Sequence, residues 1–74
     1  MQKARLQRAV QLYSGTVYKI AMVILRNPHD ADDAYQETFL RYFKHAPKFD
    51  SEEHEKAWLI HCVTNVAKSM LHTI

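Results

Sequence analysis

Residues 27–44 read NPHDADDAYQETFLRYFK and carry the marks of a helix from start to finish. Asn27 suits the cap position, Pro28 the first helical position, and Asp30 falls three residues after the cap. Proline also disfavours helical geometry in the residue before it, so a preceding helix must stop near Asn27. Asp30, Asp32 and Asp33 lie in or near the first turns, where carboxylates favour the positive end of the helix dipole. Two stripes follow at helical spacing. Ala31, Ala34, Tyr35, Thr38 and Tyr42 form one, suited to a core. Asp33, Gln36, Glu37 and Leu40 form the other, polar with one apolar member.

Upstream, a second helix is predicted over about 4–26. Leu6, Val10, Tyr13, Val17, Ala21 and Ile24 recur at steps of four and three. Ile20, Met22, Val23 and Leu25 widen this face until the later half is apolar nearly all round, as expected of a central helix. Gly15 marks a weak point, costing roughly 1 kcal/mol against alanine. Downstream, the stretch from His45 to Asp50 contains Pro47 and breaks the pattern. A third helix is predicted over about 51–72, with Asp50 and Glu53 fitting a capping box. Its core face is Leu59, Cys62, Val63, Val66 and Met70. On the opposite side, His54, Trp58, His61, Asn65, Lys68 and His72 mix flat rings, an amide and a cation. Such a face suits unstacked bases beside phosphates. The competing reading puts Trp58 in the core and the rest in water.

The helices therefore run over about 4–26, 28–44 and 51–72, and the expected fold is all-α, a small three-helix bundle. The whole chain supports this. At 74 residues it has room for one small domain, and one glycine and two prolines leave no turns for many short strands. A single cysteine makes no internal disulfide. No apolar run reaches the roughly 18 residues of a membrane span, and no signal peptide is visible, so a cytoplasmic domain without membrane insertion is expected. The net charge of +2 hides a division. Residues 1–26 carry Lys3, Arg5, Arg8, Lys19 and Arg26 without an acid, and the next segment is acidic. Such separation either steers two partners to two faces or is solvated surface.

Catalysis and metal binding find little support. No two of the five histidines share the i, i+4 spacing that seats two imidazoles on one metal, and Cys62 reads as a small core hydrophobe. Nothing pairs a nucleophile with a base, and there is no glycine-rich phosphate loop. No enzyme, no cofactor and no metal site are expected.

Taken together, NPHDADDAYQETFLRYFKHAPKFD and EEHEKAWLIHCVTNVAKSML resemble domain 2 of bacterial RNA polymerase sigma factors, within them the extracytoplasmic-function (ECF) group. The specific elements are Asp33, Gln36, Glu37 and Phe39, the Lys48-Phe49 pair, and KAWL with Asn65 seven residues after Trp58. LYSGTVYKIAMVILRN matches the looser opening of that domain, so the resemblance covers nearly the whole chain.

The resemblance implies a transcription initiation factor domain. Asp33, Gln36, Glu37 and Leu40 match the face that docks on the clamp helices of the polymerase β′ subunit. Lys56, Trp58, His61, Asn65 and Lys68 match the face that engages the −10 promoter element while DNA opens. An anti-sigma factor is implied as a further partner. Three departures qualify the match. Ala57-Trp58 stands where primary sigma factors carry an aromatic pair, which points to the alternative group. Ser69, His72, Thr73 and Ile74 follow Lys68 where arginines are common, so weak phosphate affinity is expected. The chain also stops before the −10 specificity loop and the linker to domain 4. It is thus expected to be a fragment rather than a stand-alone subunit, because its end lacks a capping glycine or polar tail. The terminal MLHTI would expose apolar surface and favour a homodimer of the isolated fragment. Two other classes compete with this reading. One is an interaction module of the same fold that binds polymerase or an anti-sigma factor without DNA. The other is a metal- or thiol-responsive regulator using the histidines and Cys62.

Overall fold

The two residues between the first and second helices do most to shape the chain. In the computed structural model, which describes residues 2–72 apart from the side chains of Gln2 and His72, α1 spans Gln2–Leu25 and α2 spans Pro28–His45. Arg26 has φ 55°, the left-handed conformation that closes a helix, and its N–H reaches the Met22 carbonyl at 2.8 Å. Asn27 is extended, and its side-chain oxygen accepts from the Asp30 N–H at 3.0 Å. The chain thereby reverses in two residues. An arginine in this conformation bears a cost of about 1 kcal/mol that a glycine would not. The only glycine of the sequence, Gly15, instead lies inside α1 with nothing within 4 Å of where a Cβ would sit.

The third helix, α3, spans Glu52–His72. Its cap is Ser51, whose Oγ accepts from the His54 N–H at 3.1 Å; the Asp50–Glu53 box expected from the sequence does not form. The Asp50 N–H donates instead to His54 Nδ1 at 3.3 Å, so the reciprocal half of the cap comes from an imidazole. The shorter serine, one residue nearer the helix, fits this role better.

All three helices pack on one another, making a three-helix bundle without strands among the described residues. α1 presents Ala9, Tyr13, Val17 and Ala21, all at steps of four. α2 presents Ala31, Ala34, Thr38, Phe39 and Tyr42, and α3 presents Leu59, Val63, Val66 and Ala67. Five of these are alanines with no exposed surface, which lets the helices approach closely. The seam of α1 keeps the expected Tyr13, Val17 and Ala21 and adds Ala9; Leu6 and Val10 are half-buried against it, and Val23 is 67% exposed despite its apolar surroundings in sequence. No helix among the described residues is long and apolar enough to cross a membrane. The MLHTI end lies partly outside the described residues; within them Met70 is half-buried and Leu71 exposed.

Candidate functional site

Two polar faces on neighbouring helices are the candidates. On α2, Asp33, Gln36 and Leu40 are exposed and Glu37 is half-buried, so the four share the outer side of the helix. Their internal partners come from α2 itself. Gln36 Nε2 donates to Asp32 Oδ2 at 2.9 Å, Arg41 Nε donates to Glu37 Oε2 at 2.8 Å, and His29 Nδ1 lies 3.7 Å from Asp33 Oδ2. Exposed pairs one helical turn apart are worth only about 0.3–0.5 kcal/mol, so an incoming partner can displace them at little cost. His29, Asp30 and Asp33 bring ligand-type atoms within 4.8 Å of one another, but the helix start accounts for both acids. Leu40, 47% exposed, continues into an apolar groove of about 480 Å³ between α1 and α2, bordered by Leu6, Val10, Phe39 and Phe43.

On α3, Lys56, His61, Asn65 and Lys68 are exposed and Trp58 is half-buried. Trp58 belongs to both environments named from the sequence. Its ring meets Tyr42 and Phe49 edge-on, with both centroids 6.0 Å away. It also lines an open groove of about 470 Å³ between the C-terminal half of α2 and α3. His61 and Asn65 line this groove as well, whereas Lys56 and Lys68 do not. Arg41, His45 and His54 complete its walls. Arg41 and His45 escape a reading of the sequence because the spacing of one helix does not say which residues of another will face it.

Cys62 is half-buried: it packs against the core, as expected, and also lines the groove. α3 turns Leu59 and Val63 fully inward, which leaves position 62 at the border facing α2. Burial pushes its thiol up, with Arg41 opposing and Glu37 reinforcing the shift. A protonated thiol is a poor nucleophile and a poor metal ligand.

Behind these faces lies a polar network that helical spacing alone does not reveal. Glu55 is 4% exposed, accepts from Tyr42 Oη at 2.5 Å, and receives Arg8 Nη1 at 3.2 Å. Arg8 Nη2 also donates to Glu52 Oε2 at 2.8 Å, and Tyr13 Oη donates to the Glu52 carbonyl at 3.3 Å. Burial first, and then the hydrogen bond to Glu55, push the Tyr42 hydroxyl up to about 12. Arg5 binds the carbonyls of Ala46 and Pro47, with its guanidinium 5.1 Å from the centre of the Tyr42 ring. Two of the five cations in the basic first segment thus bond to other helices or to the α2–α3 connection. A signal was present: Glu55 falls four residues before Leu59, in phase with the core face of α3.

The family described as Sigma-70 region 2 matches residues 9–73. The chain is 32% identical over 57 residues to the ECF RNA polymerase sigma factor SigW of Bacillus subtilis, covering 77% of this chain and 30% of that protein. It is 34% identical over 62 residues to the ECF RNA polymerase sigma factor SigE of Mycolicibacterium smegmatis, covering 84% and 24% respectively. The chain therefore spans less than a third of the length of either curated relative. No solved structure matches it significantly.

Proposed function

The chain belongs to the Sigma-70 region 2 family, within the ECF group of sigma factors, and on that premise we propose that it joins RNA polymerase to promoter DNA through two separate helix faces. A domain of this family is part of a transcription initiation factor and not an enzyme. In the proposed arrangement α2 docks on the β′ clamp helices through Asp33, Gln36, Glu37 and Leu40. The outer face of α3 engages the −10 element through Lys56, Trp58, His61, Asn65 and Lys68.

The observation that carries the reading is the separation of the two faces. An acidic stripe with an exposed leucine lies on α2, a face of rings, amide and cations lies on α3, and of the two stripes only Trp58 also packs against the core. Carboxylates released from weak surface pairs can take up charge-assisted bonds to arginines, while Leu40 supplies the apolar centre of a small interface. On α3, ammonium groups meet phosphates, and ring and amide groups meet unstacked bases.

The deciding experiment is binding of the 74-residue chain to a purified bacterial β′ clamp coiled coil at two salt concentrations. Micromolar binding by wild type, lost in Asp33→Lys and Glu37→Lys with their melting unchanged, is expected. Asn65→Ala with Lys68→Ala should keep that binding and weaken open-complex formation. A folded wild-type chain that ignores the clamp would overturn the docking assignment.

A further inference from the structure

Gly15 lies on the outward side of α1, exposed, with nothing within 4 Å of where a Cβ would sit and no left-handed backbone to require it. The fold makes no demand for glycine at this position, although almost any other residue would favour the helix more. Exposed residues run past it at steps of four and three: Arg8, Leu12, Gly15, Lys19 and Val23. Leu12 and Val23 are the two most exposed large apolar side chains among the described residues. α1 contains no acid, and Lys19 and Arg26 make no ion pair among the described residues. A missing side chain between two exposed apolar ones lets another helix approach the backbone closely.

We propose that the outward face of α1 receives the acidic face of α2 from a second copy of this chain. Charge selects that occupant. Two α1 faces would bring cations together, and two α2 faces would bring carboxylates together, so the contact is head-to-tail. Spacing fits as well. With the two helices antiparallel, Leu12 meets Phe43, Gly15 meets Leu40, Lys19 meets Glu37, and Arg26 comes level with Asp30 and Asp33. The two rows stay in step to within one residue, about 1.5 Å of helix rise. Leu40 and Phe43 are exposed, and the carboxylates of α2 leave only weak pairs within their own helix to reach the partner. The contact covers Asp33, Gln36, Glu37 and Leu40, so a chain engaged through α2 cannot dock on the clamp. That consequence rests on the polymerase reading of α2; the contact itself does not.

Sedimentation equilibrium of the 74-residue chain at rising concentration, in low and high salt, reads the contact without polymerase. The weight-average mass is expected to climb above 8.7 kDa in low salt and to fall back toward it in high salt. Lys19→Glu with Arg26→Glu should weaken association at least about tenfold, and so should Asp33→Lys with Glu37→Lys. An equimolar mixture of these two double variants should associate again, because each supplies the charge that the other has lost. Lys56→Glu with Lys68→Glu, on α3, has the same net charge as the α1 variant and should not restore the α2 variant. Gly15→Leu should raise the melting temperature and yet weaken association about tenfold, since its side chain fills the gap that Leu40 enters. Leu71→Lys, at the exposed end of α3, should leave association unchanged. Thermal melting checks each fold; if the Arg26 change unfolds the domain, Lys19→Glu alone carries the comparison. A wild-type mass of 8.7 kDa at every concentration, association that survives both charge reversals, or a mixture that stays monomeric would overturn the contact and leave clamp docking standing. A clamp coiled coil that binds the chain without dissociating it would overturn the masking. A chain that self-associates as described but ignores the clamp would keep the contact and remove the docking reading.

Discussion

Two arginine–glutamate pairs of the same chemistry behave as different objects. Arg8–Glu55 closes at 3.2 Å around a carboxylate only 6% exposed, and Arg41–Glu37 closes at 2.8 Å with both side chains more than 40% exposed. The shorter pair is the weaker one. In water the Coulomb attraction is screened and two long side chains must be held still, so the surface pair contributes at most a few tenths of a kcal/mol. In the interior the carboxylate has left water, and its hydrogen bonds to Arg8 and Tyr42 replace what was lost. The first pair is structural, and the second is available to a partner. Burial, not distance, separates them.

The comparison is broken most severely by Glu55→Ala. It strands the buried Tyr42 Oη and removes one acceptor of the half-exposed Arg8, at an expected cost of about 3 kcal/mol. A domain of this size holds only roughly 4–11 kcal/mol, so urea unfolding should show a large fall in midpoint. Glu37→Ala, the matching deletion on the surface, should cost under about 0.5 kcal/mol. Equal losses in the two variants would show that the distinction by burial fails.

Tyr42→Phe is the next step down, expected to cost about 1–3 kcal/mol by leaving a buried carboxylate short of a donor. It also tests the pH dependence. The folded Tyr42 hydroxyl stands at about 12, above the ordinary value near 10, so the folded state holds its proton longer than the unfolded one. That contribution is complete below about pH 10 and is lost as pH rises through about 12. Wild type should therefore weaken across this window more steeply than Tyr42→Phe. Tyr13, pushed up chiefly by burial, keeps the variant from becoming flat.

Smaller effects come from the backbone. Gly15→Ala should stabilise by about 0.5–1 kcal/mol, since the added methyl meets open space within a helix. Arg26→Gly should do the same at the left-handed turn. Thermal melting of the two singles and the double, with near-additive gains, checks both.

The three helices were readable because their limits are chemical. Asn27-Pro28 can neither continue α1 nor fail to start α2, and apolar spacing marks the rest. Membership of the sigma-factor family was readable too, through Asp33, Gln36, Glu37 and Phe39 with KAWL downstream. The seam of α1 was readable at Tyr13, Val17 and Ala21 but not at Ala9, because a hydrophobic pattern is weighted toward large side chains. Glu55 was hidden for another reason: an acid in the first turn of a helix already has an adequate account as a partner of the dipole. The polar stripes of α2 and α3 could be written down from spacing alone. The groove could not, because Arg41 and His45 meet His54 and His61 only after the helices pack.

Arg5 has a consequence for handling the protein. It lies in the first turn of α1, yet it bonds the carbonyls of Ala46 and Pro47 and covers the rings of Tyr42 and Phe49. A protease nick that removed this first turn would unfasten the connection between α2 and α3 some forty residues away. Phe49 would lose the cation over its ring with it. Limited digestion and hydrogen exchange should therefore report damage at the start of the chain as loosening around residues 46–54, next to the histidine-lined groove.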